Sequence, residues 1–414
     1  MSILISMSRP KVLHLSKYYS PFTGGIENFL RDLLQCATVQ TECETRVIAH
    51  HHQTGKPTCR TKSDGISVTR VKLWRQVLYT PICFGFLHEL QRDLRDFDPD
   101  IIHIHMPNLS AFACLFSVKA RKCHWIIHWH SDVLGAAPDW RIKLLYPIYR
   151  IFERRMLAKA SSIVCTSPNY LNTSDALSSF KDKCVIVPIG IAARAKHEPT
   201  SRSNRELGPA SSPSPTGENL SSDVSHLNLI CIGRLTYYKG HSVLLNAINK
   251  LDHVHLHIIG EGENRAAIES QIYSLGLQSK VTLHGQVSDE SLTAHISAAD
   301  LLCLPSIERT EAFGLVILEA ARCKTPALVT DVNGSGMRWA VVDGETGWVV
   351  SSNNADAITE CLRQIQRNRS VLTAAGEAAH ARFTTHFQID NISKKISQMY
   401  RQCPQQPTSY DIPS

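Results

Sequence analysis

The sequence predicts an α/β protein made of two doubly wound, parallel-sheet domains that face each other across a cleft. Three observations point there. The chain has 414 residues, more than one hydrophobic core usually serves. Short β-rich apolar runs alternate with helical patterns along most of it, the rhythm of parallel strands joined by crossover helices. That rhythm breaks once, between about Ala192 and Ser225, where the chain turns to Pro, Ser, Asn, Gly and charge.

The first domain is expected over residues 1–191. Its strands are Lys11–Leu15, Ile101–His105, Trp125–Trp129 and Ser162–Cys165, each followed by a polar turn and usually a helical stretch. Residues 192–226, with Ser211-Ser212-Pro213-Ser214-Pro215, cannot bury enough apolar surface to order themselves and read as a flexible linker or insertion. Strand patterns resume at Leu229–Ile232, His255–Ile259, Val281–Leu283, Leu301–Leu304 and Ala327–Val329, giving a second domain over 227–385. The remainder, 386–414, reads as a helix around Asn391–Tyr400 and a frayed tail. Two such domains place the carboxyl ends of two sheets around a cleft, where loops and helix N-termini converge on a ligand.

Composition sets the class. Hydrophobic residues make up 43% and charged residues 20%, ordinary for a soluble protein. No apolar run nears the ~18 residues of a membrane span, and Met1–Lys11 is too short and too polar for a secretory signal. A cytoplasmic protein is expected. The thirteen cysteines are scattered without a Cys-x-x-Cys pair, which suits free thiols in a reducing compartment. A formal charge of +7 suits anionic partners such as nucleotide-sugars or acidic lipid headgroups. No nucleic-acid partner is expected.

The most specific segment runs from Pro305 through Glu311, Phe313, Gly314, Leu315 and Glu319. Glu311 and Gly314 fall where a loop turns into a helix, and Glu319 lies roughly two turns on. A helix start offers free N–H groups and a positive dipole end to an anion or hydroxyl, and Glu319 can accept from a ribose diol. A helix with solvated acids accounts for the same pair. After strand Leu229–Ile232, Arg234 and Lys239 occupy a strand-to-helix loop. Two cations and backbone N–H groups there suit a leaving diphosphate; two surface basic residues are the plain alternative.

Together these residues resemble the donor-binding half of glycosyltransferase family 4, of the GT-B fold with two Rossmann-like domains. The resemblance rests on Gly233-Arg234 with Lys239-Gly240, Ile259-Gly260-Glu261-Gly262, Leu283-His284-Gly285, Ala299-Asp300, Pro305-Ser306, Glu311 with Glu319, and Gly344-Glu345-Thr346-Gly347. It implies that Arg234 and Lys239 bind the donor diphosphate and that Glu311 contacts the donor sugar. It also puts the N–H groups around Phe313, Gly314 and Leu315 near the phosphates, and Glu319 on the ribose. The family is metal-independent, so no metal or cofactor is expected. One departure stands out: Lys324 replaces a glycine usual near the end of this helix. A lysine suits the negative end of a helix, so only a local change is expected.

In the first domain, Gly24-Gly25 precedes a helix. Alone it is a tight turn; beside the second domain it resembles the family's glycine loop, with Gly25 toward the donor and Gly24 toward the acceptor. The same resemblance makes His130 the family's active-site histidine, with Trp129 and Asp132 on the acceptor side. His128 shares a strand face with His130, as His103 does with His105. Zinc is discounted because no third ligand is spaced to join either pair. Asp98-Pro99-Asp100 looks like a metal-holding Asp-x-Asp, but a turn ahead of a strand is preferred.

Leu145, Ile148, Tyr149, Phe152 and Met156 form one face of a helix over 141–160, with Lys143, Arg150 and Arg154 opposite. That face is expected in the core; contact with an anionic bilayer is the other reading. The whole is read as a metal-independent, retaining glycosyltransferase. It moves a hexose, with mannose from GDP-mannose leading and UDP-hexoses close behind, to a saccharide or lipid-linked saccharide in surface polysaccharide assembly. A nucleotide-sugar epimerase of the same fold and a non-catalytic nucleotide-sugar binder are the rivals.

Overall fold

The computed structural model describes residues 9–77, 80–133, 140–193 and 226–403. The interdomain stretch from 194 to 225 and the tail beyond 403, read above as linker and frayed end, lie outside the described residues.

The first sheet contains β1 (Lys11–Leu15), β2 (Glu44–His50), β3 (Cys59–Ser63), β4 (Ile66–Val71), β7 (Ile101–Met106), β8 (His124–Trp129), β9 (Ser162–Cys165) and β10 (Cys184–Ile186). Between β4 and β7 a small separate hairpin pairs β5 (Arg75–Val77) with β6 (Thr80–Ile82). The sheet order is β10-β9-β8-β7-β1-β2-β4-β3, parallel except for β3 against β4. Helices cover both faces, so its central strands bury every residue, as in β7. The β3–β4 hairpin was not expected, although its signal was present. Asp64-Gly65 takes positive φ at both positions, the two-residue turn that joins antiparallel strands.

The second sheet contains β11 (Leu227–Ile232), β12 (Val254–Ile259), β13 (Val281–Gly285), β14 (Leu301–Leu304), β15 (Ala327–Thr330) and β16 (Gly347–Val350). Its order β13-β12-β11-β14-β15-β16 is parallel throughout and reverses direction between β11 and β14. The first sheet reverses between β1 and β7. At such a switch point adjacent loops part to opposite sides and leave a crevice for a ligand.

One hydrophobic cluster runs through both domains, from Val12 and Phe29 to Phe313, Phe383 and Tyr400. The last helix, Ile389–Gln402, is responsible for part of this. It buries Ile392, Ile396 and Tyr400 and packs against the helices Gly25–Gln35 and Ala37–Glu42 of the first domain. Just ahead of it, backbone bonds tie Ile191 to Phe387 and Ile389. The chain therefore crosses back, so the terminal helix belongs to the first domain's packing.

Lys324 shows how the departure from the family glycine is absorbed. The helix Leu315–Arg322 ends with Lys324 at φ 61, the left-handed conformation that glycine usually supplies. Lys324 N–H donates to Ala321 and Thr325 N–H to Ala320, so the last carbonyls are satisfied. The lysine ammonium reaches Glu377 at 2.9 Å.

Candidate active site

The loops after β11 and β14 flank the second sheet's switch point, and they carry the charged residues singled out above. Gly240, at φ 71, starts the helix His241–Ile248; a side chain there would strike the Pro305 carbonyl, so the two loops touch backbone to backbone. That approach brings Lys239 to Glu311, Nζ to Oε2, at 2.5 Å, with both side chains nearly buried. Burial pushes the Lys239 ammonium down, but the Glu311 carboxylate overrides this and holds it above its usual value. Ser306 donates to the same carboxylate oxygen at 3.3 Å. Arg234 follows Gly233 in the same loop.

Gly314, at φ 81, is the residue before the helix Leu315–Arg322, so the N–H groups at Phe313–Leu315 sit at a helix start. The Phe313 side chain is buried. Glu319 lies one turn into this helix rather than two, because the helix begins only at Leu315. It lines a cavity of about 360 Å³ between the domains, together with Asn28 and Arg31 of the facing helix. Burial raises the Glu319 pKa and Arg322 opposes the rise.

From the first domain, Gly24 and Gly25 open the helix Gly25–Gln35; nothing stands within 4 Å of where a Gly25 side chain would go. Two residues missed in the sequence join them. Glu27, in the first turn, is buried with its pKa raised by that burial, and Lys17 opposes the rise. Lys17, in the loop after β1, is lowered by burial, with Glu27 acting against this and Arg234 adding to it. An acid three residues past Gly24 is a helix-start signal that sequence reading could have used. Lys17 has no such signal.

One expectation needs correction. Trp129 does not line an acceptor surface: it is buried, and its indole N–H donates to Asp132 at 2.8 Å. A strand buried on both faces puts its last residue into the core as well. Asp132 itself is partly buried. It accepts from Ser174 at 2.7 Å and pairs across the domains with Arg309 at 3.2 Å. Arg309 also stacks over Tyr170, 4.5 Å from the ring centre.

His130 is buried at the carboxyl end of β8. The stated reason for discounting zinc does not hold. His105 on the neighbouring strand brings a third ring nitrogen within 4.8 Å of His128 and His130. Parallel register sets His105 beside His128 and His14 beside His103, which spacing along the chain cannot show. Asp98-Pro99-Asp100 is a turn, with Asp98 paired to Lys119 and Asp100 bonded to the Lys11 N–H. All thirteen cysteines are free thiols.

The helix over 141–160 meets its expectation in part. It spans Trp140–Lys159; Tyr149, Phe152 and Met156 of the named face pack against the first domain's core, but Leu145 and Ile148 are exposed. Glu153, on the inner side, is fully buried against Arg150 and Tyr146.

Two parallel-sheet domains, with charged loops meeting at their switch points, form the architecture of the GT-B class. Two family models match the chain: "Glycosyl transferases group 1" over residues 219–382, and "Glycosyl transferase 4-like domain" over residues 24–190. O-antigen chain mannosyltransferase C of Escherichia coli is 28% identical over 395 residues, which is 94% of this chain and 98% of that one. D-rhamnosyltransferase WbpZ of Pseudomonas aeruginosa is 26% identical, over 91% of this chain and 92% of its own. Among solved structures, sucrose-phosphate synthase from Thermosynechococcus elongatus superposes with a TM-score of 0.75 at 20% identity, over 95% and 99% of the two chains. HepE from Anabaena, solved with UDP and glucose, gives 0.68 at 17% identity, over 95% and 99%. The chain belongs to the group 1, 4-like glycosyltransferases and is a glycosyltransferase.

Proposed function

We propose that the protein is a retaining mannosyltransferase that takes mannose from GDP-mannose and extends a saccharide or lipid-linked saccharide in surface polysaccharide assembly. The observation that carries the donor site is the Lys239–Glu311 pair at the switch point, with Arg234 in the same loop. The choice of mannose is supported by likeness over almost the whole chain to an O-antigen mannosyltransferase.

In this reading Arg234 and Lys239 take the diphosphate, which competes with Glu311 for the Lys239 ammonium. The freed Glu311 carboxylate turns to the sugar hydroxyls. Charge building on the departing diphosphate is met by two fixed cations and a helix start, so no metal ion is needed for that task. Glu319 accepts from the ribose diol, and His130 bonds the sugar from the facing domain. The acceptor hydroxyl attacks on the face from which the diphosphate leaves. Domain closure over the site excludes water and suppresses donor hydrolysis.

The helix Trp140–Lys159 supports a peripheral contact with an anionic membrane. Trp140, Leu144 and Ile148 are 69%, 67% and 59% exposed, and Phe116 and Val118 stand out from a segment ringed against it. Lys143 and Arg154 lie on the same helix. Apolar anchors framed by cations fit an acidic lipid surface and would bring a lipid-linked acceptor to the cleft. Among the described residues no helix is long and apolar enough to cross a membrane.

The direct test is calorimetry with GDP-, UDP- and ADP-sugars in the presence of chelator, on the parent protein and Arg234→Ala. Tight binding of GDP-mannose alone, lost in the variant, is the expected result. Binding of a UDP-sugar instead would replace the donor, and binding of none would remove the donor site.

A further inference from the structure

Arg309 lies in the loop between β14 and the helix Leu315–Arg322, two residues before Glu311. Both ends of that loop are tied inside the second domain. The Ser306 and Glu311 carbonyls accept from the hydroxyls of Thr330 and Ser335, and the Ala312 carbonyl accepts from the Gly336 N–H at 2.7 Å. At its middle, Arg309 crosses to the first domain, where the short helix Pro168–Thr173 follows β9. The guanidinium lies 4.5 Å from the centre of the Tyr170 ring, its Nη1 donates to the Thr173 carbonyl at 2.8 Å, and its Nη2 stands 3.2 Å from Asp132 Oδ2.

The receiving side is held firmly in place. Asp132 Oδ1 accepts from the Trp129 indole at 2.8 Å and from the Ser174 hydroxyl at 2.7 Å, and Oδ2 faces Arg309. The Asp132 N–H donates to the Tyr170 hydroxyl at 2.5 Å, so the carboxylate and the ring that meet the guanidinium are tied to each other. The Thr173 carbonyl is the last of its helix, at the negative end where a cation is favoured. Beside it Gly334, at φ 81, leaves no room for a side chain: a Cβ there would stand 2.2 Å from the Thr173 hydroxyl and 3.5 Å from Arg309 Cζ. The domains are thus in van der Waals contact around this one side chain.

Two features set the contact apart from a plain structural tie. The first is its place in the chain. Arg309 is two residues from Glu311, and Asp132 is two residues from His130. One contact thus governs the spacing between two candidate site residues that come from different domains. The second is its incomplete bonding. Only Nη1 makes an aligned hydrogen bond, while Nε and Nη2 are buried without one among the described residues. Buried donors left without a bond lower the net stability of a contact, so this one holds the domains without locking them.

We propose that Arg309, seated on Asp132, Tyr170 and Thr173, is a positioning residue that keeps Glu311 in register with His130 when the two domains are together. The roles of Glu311 and His130 toward the sugar rest on the function proposed above; the clasp does not. Arg234 and Lys239 belong to a different loop, so the clasp acts on turnover more than on diphosphate binding.

The test compares the full chain with Arg309→Met, which keeps the stem and loses the charged fork, and Arg309→Lys, which keeps the charge. Turnover with GDP-mannose should fall about tenfold or more in the methionine variant and recover in part in the lysine variant, since a small misplacement of reacting groups is costly. GDP affinity by calorimetry should be unchanged in both. Asp132→Asn keeps both Oδ1 bonds; it should lower turnover and add little to Arg309→Met, as members of one contact do. Without donor, small-angle X-ray scattering should give Arg309→Glu, which sets like charge against Asp132, a larger radius of gyration than the parent. The proposal is overturned by turnover indifferent to Arg309→Met, by GDP affinity that falls as far as turnover, or by an unchanged radius of gyration in Arg309→Glu. If the parent transfers no sugar from any donor, the proposed function fails while the scattering still decides the clasp.

Discussion

The two halves meet the cleft with opposite chemistry. The second domain offers formal charge: Lys239 and Glu311 are paired at 2.5 Å, with Arg234 beside them in the loop. The first domain offers buried imidazoles whose pKa values burial lowers, His14, His103, His105, His128 and His130, closed off by Phe29 and Tyr400. The division suits the two ends of a nucleotide-sugar. A diphosphate carries charge in the ground state and gains more as it leaves, so fixed cations serve it. Sugar hydroxyls are neutral, so uncharged hydrogen-bonding groups suit them. Lys17 and Glu27 are the exception, a buried oppositely charged couple that the first domain brings toward Arg234.

The largest effect expected from this division is at Lys239. Lys239→Met should lower kcat/KM by about 10²–10³, as loss of one aligned charge at a developing anion does. It should also destabilise the fold by about 3–5 kcal/mol, because Glu311 is left buried and unpaired. Adding Glu311→Gln should restore the melting temperature and leave activity lost. If stability does not return, the pair is not the structural unit described here.

Glu311→Gln alone separates binding from chemistry. Removing its charge frees Lys239, so free GDP should bind a few-fold tighter while turnover falls by about a hundredfold. Weaker GDP binding would mean that Glu311 and the phosphate do not share Lys239.

Acid should strike the first domain harder. In the folded protein burial lowers the pKa values of His14, His103, His105, His128 and His130 below 6.5, whereas in the unfolded chain these residues take up protons near 6.5. Below that pH the unfolded state binds more protons, so stability is lost as pH falls from about 6.5 toward the folded values, about 3 for His105. Melting temperature measured across this window should drop steeply in the parent and less in His105→Gln. An equal slope in both would remove these histidines as the cause.

On the outer face, Leu144→Ser with Ile148→Ser should weaken co-sedimentation with phosphatidylglycerol vesicles by tenfold or more. Each exposed side chain stands to gain about 1.5–3 kcal/mol on burial in lipid. The melting temperature should not change, since both residues are exposed. Unchanged sedimentation would leave this face without a membrane role. The smallest effect is at Lys324. Lys324→Gly should stabilise by about 1 kcal/mol by relieving left-handed strain, less whatever the exposed Glu377 contact contributes. A lower melting temperature would show that the contact outweighs the strain.

Much of this was legible along the chain because it is local. The buried parallel strands announce themselves as short apolar runs, and the donor loop as Gly233-Arg234 and Lys239-Gly240 at a strand-to-helix turn. Glu311 with Gly314 marks the facing helix start. The Asp64-Gly65 hairpin was equally local and was passed over. Other features depend on neighbours distant in sequence. Trp129 is expected on the acceptor side beside His130, yet strand burial holds it inside, and Asp132 next to it meets Arg309 and Ser174 from distant parts of the chain. The helix Trp140–Lys159 has one apolar face by periodicity, but only its Tyr149, Phe152 and Met156 meet the core, while Leu145 and Ile148 stand exposed.

The two-domain α/β plan, the charged loops at the second switch point and the family can all be read along the chain, because backbone periodicity and turn chemistry act over a few residues. Only the tertiary structure decided that Lys239 meets Glu311 and that the last helix closes the first domain. It also decided that the ring nitrogens of His14, His105 and His130 come within hydrogen-bonding reach of one another. Each of these depends on register between strands or loops that come together only when two sheets fold and face each other, and no spacing along the chain encodes that distance.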